Sequence, residues 1–253
     1  MKNILGSILL SAILIFYFSS CSKNGATGAT GPAGPLSTGT LTGYVTISDQ
    51  YGFKVPGDQS GVSVSIPGYT GDTSVTNSSG AYTISNLKTG VYNLVYSKAG
   101  CGTVLANDYS FLGGGTINRN QAISLIPSFS LFNTNIIDTV EATDSGVLIR
   151  GTDTVNSVAR TFIVFGGSAS TVSSTPSTYA YENTGTIKAG GGTWSLFIPS
   201  QALIDAGLAE GSTAYFVVYP YSTGQPTYVD INSGKTVFTA LGAPTTVLSV
   251  TVQ

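Results

Sequence analysis

Side chains able to do chemistry are scarce in this chain, because its 253 residues include no histidine. Without imidazole, Ser/His/Asp and Cys/His nucleophilic mechanisms are excluded, and so is nearly every catalytic zinc site. Carboxylate chemistry survives, and it needs two acids converging at about 5 to 10 Å across a cleft. Among the 12 acidic residues, pairs close in sequence include Asp205 with Glu210 and Asp138 with Glu141. Most of the others stand beside Gly, Ser or Thr, as Asp49, Asp72 and Asp144 do, where a short carboxylate hydrogen-bonds the local backbone of a turn. No catalytic residue, metal ligand set or cofactor is expected from this inventory.

The aromatic side chains offer binding rather than reaction. Tyr51, Tyr69, Tyr181, Tyr221 and Tyr228 lie beside turns and are candidate stacking platforms for a sugar ring or a partner surface. Trp194 alternates with Leu196 and Ile198 along a strand pattern, which assigns it to a core. Of the two cysteines, Cys101 follows Gly100 and reads as a small buried hydrophobe, since reactivity would need a cation such as Lys98 against the sulfur.

Cys21 has a different setting. Lys2 precedes an apolar run from Ile4 to Phe18, and Ser19 and Ser20 lead into Cys21, the layout of a secretory signal too short to span a bilayer with its flanks. Ser19-Ser20-Cys21 resembles the lipobox of bacterial lipoproteins, which implies lipidation of Cys21 and a membrane as partner through several acyl chains, each buried methylene contributing about 0.8 kcal/mol. The alternatives are an ordinary secretory signal cut at the same place or an uncleaved anchor. From Gly25 the chain reads GATGATGPAGP, with glycine also at Gly28, Gly31 and Gly34. That is triple-helix spacing, but about four triplets are too few to hold three chains, so a solvated spacer is expected. Such short collagen-like runs look like those of surface lipoproteins of Bacteroidota. Asp138-Thr139-Val140 and Asp153-Thr154-Val155 each resemble the O-glycosylation triplet of exported Bacteroidota proteins, which makes Thr139 and Thr154 candidate glycan sites.

Beyond the spacer the elements are strands. Val62, Val64 and Ile66 alternate with serines, Tyr82 with Ile84, and Tyr92 with Leu94 and Tyr96, while Asn77 to Gly80 and Lys88 to Gly90 supply hairpin turns. Gly43-Tyr44-Val45, Gly61 to Val64, Thr76 to Ile84 and Leu87 to Leu94 together are similar to the carboxypeptidase regulatory-like domain. The resemblance implies a seven-stranded transthyretin-like (prealbumin-like) β-sandwich, a non-catalytic module, with related sandwiches among carbohydrate-binding modules. Further on, Phe162 to Phe165 is a continuous apolar run, as in a strand covered on both faces. Tyr215, Val217 and Tyr219 alternate up to Pro220, and Leu248, Val250 and Val252 close the chain. One helix is predicted from Ser200 as N-cap over Gln201 to Ala206, ended by Gly207.

The fold class expected is therefore all-β: a signal peptide over 1–20, a lipidated Cys and Gly-rich linker over 21–39, a regulatory-like sandwich over 40–127, and an immunoglobulin- or fibronectin III-like sandwich over 128–253. Charged residues are 9% of the chain and the formal net charge is -2, which excludes an electrostatic footprint for nucleic acid. The expected role is a non-enzymatic lipoprotein of the outer membrane or cell surface presenting its sandwiches to a protein or glycan partner. A carbohydrate-binding lipoprotein of a glycan-uptake system is the second reading, and a carboxylate-dependent hydrolase the third.

Overall fold

A computed structural model describes residues 37–69, 71–140, 145–153 and 157–253, giving the backbone alone for 132–140 and 145. These residues are built from seventeen strands and one short helix, an all-β architecture. Cys21, the signal segment, the glycine repeat, Glu141, Asp144 and Thr154 lie outside the described residues, and Thr139 is described by its backbone in β9.

Strand β1 (Thr38–Ser48) organises the first half. It pairs antiparallel with β4 (Ala81–Lys88), and parallel first with β7 (Thr116–Asn118) and then with β8 (Gln121–Ser124). Since β7 and β8 follow successive segments of β1, they act as one strand interrupted at Arg119–Asn120. The facing sheet has the order β3 (Thr73–Val75), β2 (Ser63–Ser65), β5 (Gly90–Ser97), β6 (Val104–Phe111). Period-two alternation turns Leu41, Val45, Val64, Ile84, Leu94 and Tyr96 inward, and all are buried in one cluster. The Asn77 turn closes locally: its side-chain oxygen accepts from the N–H groups of Ser79 and Ala81, and Gly80 takes the left-handed φ of +86° that the turn demands. Cys101 is buried in the same cluster, and burial pushes its thiol pKa up.

The second half stacks the sheet β13 (Thr193–Pro199), β10 (Ser145–Asp153), β9 (Leu131–Val140) on the sheet β12 (Tyr181–Ile187), β11 (Arg160–Gly167), β14 (Thr213–Tyr221), β17 (Leu248–Thr251). Val147, Ile149, Trp194 and Ile198 meet Phe162, Val164, Phe216 and Val218 between them. Strand β11 has no solvent face. Its other side, Ile163 and Phe165, is covered by Val172, Tyr179 and Phe238, the last carried on a ribbon of β15 (Thr227–Val229) and β16 (Thr236–Phe238). Full burial of each such side chain contributes about 1.5–3 kcal/mol.

Two local expectations are corrected. Helix α1 spans Ser200–Asp205 with Pro199 as its N-cap, so Ser200 lies inside the first turn and caps nothing. Proline can hold that extended position because the cap residue's own N–H is not needed by the helix. Gly207, at φ +87°, does end the helix. Strand β14 continues through Pro220 to Tyr221, because the Pro220 carbonyl still accepts a hydrogen bond, from Gly242. Residues Ser37–Gln253 form one compact unit, and the two apolar cores are joined by polar contacts: Ser222 Oγ donates to the Leu125 carbonyl (2.6 Å) and Thr223 N to that of Gln50 (3.1 Å).

Candidate functional site

Among the described residues, an open groove of about 770 Å³ lies beside β10, β12 and β13, within the range of small-ligand clefts. Alternation along β10 buries Val147 and Ile149 and leaves Leu148, Arg150 and Thr152 on the outer side. The antiparallel register then sets Ser195 opposite Arg150 and Thr193 opposite Thr152. Thr186 of β12 and Lys188 and Gly191 of the following connection complete the lining. That connection is held in place at both ends of its turn: Gly191 N donates to the Lys188 carbonyl (3.0 Å), and Asp153 N donates to the Gly192 carbonyl (2.8 Å).

Trp194 forms the apolar edge of the groove. It is 5% exposed, tilted against Phe162 at a 4.4 Å centroid distance, and its indole N–H donates to the Thr152 carbonyl (3.4 Å). The ring is therefore fixed by the core, as its strand pattern predicts. Around it stand four hydroxyl-bearing residues, Thr152, Thr186, Thr193 and Ser195, together with Arg150 and Lys188. Hydroxyls both donate and accept, whereas guanidinium and ammonium only donate and favour anionic acceptors. The described lining residues supply no carboxylate and no thiol, so this arrangement can bind but offers no acid and base pair.

A smaller depression of about 400 Å³ lies by Tyr179, Tyr181, Glu182 and Lys235. Its polar groups are already engaged with the protein. Lys235 Nζ donates to the Tyr179 carbonyl and lies 4.8 Å from that ring's centroid, while the Tyr179 hydroxyl donates to the Thr236 carbonyl (2.6 Å). Burial first, and then the neighbouring Glu182, push the Tyr179 phenol pKa well up.

The five candidate tyrosines stand on separate segments, and none of them lines the larger groove. Tyr69 is 51% exposed and meets Tyr92 edge-on at 5.2 Å. Tyr51 is half-buried in the turn where Asp49 accepts its N–H (2.9 Å). Tyr181 packs against the second core and its hydroxyl accepts from Asn183 (3.0 Å). Tyr221 meets Phe238 edge-on at 5.8 Å, and Tyr228 pairs with Val237 across the ribbon. Of the acids, Asp49 serves its turn, and Asp205 accepts from Gln201 within α1 (2.8 Å). Arg150 carries one sequence signal, a charged residue at an alternating strand position, and nothing in the sequence ties it to Lys188.

No family model matches the chain, and no curated protein matches it. Among solved structures it is similar to a proposed carbohydrate-binding protein from Bacteroides uniformis, at 12% identity and a TM-score of 0.34, over 85% of this chain and 99% of that one. It is also similar to DUF3823 family proteins from Parabacteroides merdae (14% identity, TM-score 0.32, 85% and 100% covered) and Bacteroides ovatus (16% identity, TM-score 0.30, 87% and 100% covered). Likeness at this level assigns neither a family nor a ligand.

Proposed function

We propose that the chain is a lipid-anchored protein of the cell envelope that performs no chemistry and binds glycan through its second sandwich. The observation that carries the binding role is the groove itself: Trp194, held by the core, and Leu148 among its lining, four hydroxyl-bearing residues from three strands, and a loop wall tied to the end of β10. Sugars present alternating apolar faces and hydroxyl rims, and this lining offers a complement to each. The address rests on Ser19-Ser20-Cys21 and the glycine-rich spacer, and the first sandwich, in this reading, is the regulatory-like module that its turn and strand motifs resemble.

The binding role is tested by passing the full chain in detergent over immobilised plant, algal and host polysaccharides. Retention on at least one, reduced by Ser195→Trp in the groove, supports it; passage through all of them with a natively folded protein rejects it. For the address, radiolabelled palmitate is expected to enter the wild type and not Cys21→Ala.

A further inference from the structure

We infer that the first sandwich rests on the membrane with the end at which the chain enters it, seating Tyr69, Val91 and Leu112 in the interface of a phospholipid bilayer. This rests on the lipid-anchor reading and adds a second, non-covalent contact with the same membrane.

The argument begins where the described chain begins. Ser37 and Thr38 are clasped by two turns: Thr89 N donates to the Ser37 carbonyl (2.8 Å), the Thr89 hydroxyl reaches the carbonyls of Ser37 (2.8 Å) and Leu112 (3.0 Å), and Gly114 N donates to the Thr38 carbonyl (2.9 Å). A third loop arrives at the same end. Strand β2 runs antiparallel to β5, with Ser63 opposite Ser97 and Ser65 opposite Val95, so the chain leaving β2 heads toward Gly90 and sets Tyr69 against Tyr92. Tyr92 is buried, and its hydroxyl donates to the Lys88 carbonyl (2.8 Å), which ties the Tyr69 loop to the turn that clasps Ser37.

These loops turn apolar surface outward. Leu112 is 73% exposed and Val91 63%, and Tyr69 is half exposed beside them. Since Val91 faces Ser110 and Gly90 faces buried Phe111 in the ladder, Val91 and Leu112 are diagonal neighbours on the outer side of β5 and β6. Aliphatic side chains next to a tyrosine match the boundary of a bilayer, where the aliphatic groups enter the acyl region and the phenol stays at headgroup level. Exposed Lys88 and part-exposed Asp72 are the charged residues nearest these three and are of opposite sign, so the attraction is apolar and not electrostatic. The lysine can lay its stem along the same surface and keep its ammonium among the headgroups.

Three such side chains hold a free protein only weakly, and the tether changes that. Cys21 and Ser37 are so close in sequence that, in any conformation, Ser37 stays within roughly 60 Å of an acylated Cys21. A tether this short sets an effective concentration on the order of mM, at which a weak contact closes. The other end of β1 leads through Asp49 to Gln50, whose carbonyl accepts from Thr223 N (3.1 Å). The half that carries the groove is therefore joined at the end of β1 away from the bilayer.

The test is spin labelling of the full chain, expressed with its signal segment and reconstituted in phosphatidylcholine vesicles. One nitroxide is placed at Leu112→Cys and a reference at Phe53→Cys, 64% exposed in the turn beyond the far end of β1, while Cys101 is buried. Collision with oxygen, which concentrates among acyl chains, is compared with collision with a water-soluble nickel chelate. The oxygen-to-nickel ratio at Leu112 is expected to exceed that at Phe53 by at least about fivefold, as for a group seated at the acyl boundary, and to be unchanged by salt or by added phosphatidylglycerol. Tyr69→Ser with Val91→Ser, both at exposed positions, is expected to lower the docking equilibrium by about tenfold and return the label toward its aqueous value. Equal ratios at the two sites in protein that floats with the vesicles overturn the contact and leave the anchor in place. Shielding of the Leu112 label from both reagents would mean a protein neighbour, such as a second copy, and also overturns it. Failure of the chain both to float with vesicles and to incorporate palmitate overturns the anchor reading and this contact with it.

Discussion

Arg160 and Asp153 form an ion pair at 2.7 Å whose side chains are 2% and 0% exposed, with the guanidinium 5.1 Å from the Phe129 ring centroid. Two charges removed from water stabilise a fold only relative to leaving one of them alone, so the pair is a point of vulnerability more than a source of stability. Asp153→Ala should therefore cost about 3–5 kcal/mol, measured by urea unfolding, whereas the double replacement Asp153→Leu with Arg160→Met should return to within about 1 kcal/mol of the wild type or exceed it. A single variant costing under about 1 kcal/mol would contradict this. The pair was invisible in the sequence, because Asp153 looked like part of a loose Asp-Thr-Val triplet and Arg160 like one of ten scattered basic residues. What brings them together is that the last residue of β10 and the first of β11, on two different sheets, meet at the same end of the sandwich.

Strand identity was the most legible level. Period-two alternation at Val62 to Ile66 and at Trp194 to Ile198 needs no partner to be recognised, and the unbroken run Phe162 to Phe165 announced a strand covered on both faces before its cover was known. The cover itself, the β15–β16 ribbon and the segment bearing Val172 and Tyr179, was not legible, since its residues have no periodicity of their own. The groove was missed for a related reason: the register that sets Arg150 opposite Ser195 depends on a long-range pairing. In the helix, sequence and structure make opposite predictions about one atom. As an N-cap, Ser200 would lose about 0.5–2 kcal/mol on substitution by alanine. In the structure its Oγ is buried with no hydrogen-bond partner among the described residues. Ser200→Ala is accordingly expected to be neutral or stabilising, by up to about 1 kcal/mol. A shift of the urea midpoint below the wild type would restore the capping role.

At the scale of the molecule, the two cores are held together by close backbone approach. A Cβ on Gly102 would fall 2.2 Å from the Thr239 carbonyl oxygen, and that segment cannot easily yield because the buried Gln225 amide donates to the Ala240 carbonyl (3.0 Å) and accepts its N–H. Gly102→Ala should cost about 1–3 kcal/mol and separate thermal unfolding into two transitions where the wild type shows one, as read by calorimetry. Gly115→Ala, where an added Cβ meets nothing within 4 Å, is the control and should leave the trace unchanged. Strand β1 has a further consequence for a tethered protein. It begins at Thr38, so the last two residues of the expected 21–39 spacer already belong to the strand, and it is gripped along its length by β4 on one side and by β7 and β8 on the other. A pull on Ser37 directed along β1 would run across the hydrogen bonds holding the strand, so the load would be shared by many rungs in shear. If the chain is anchored and binds as proposed, the lengthwise grip on its first strand would let it hold on while a captured ligand is dragged by flow.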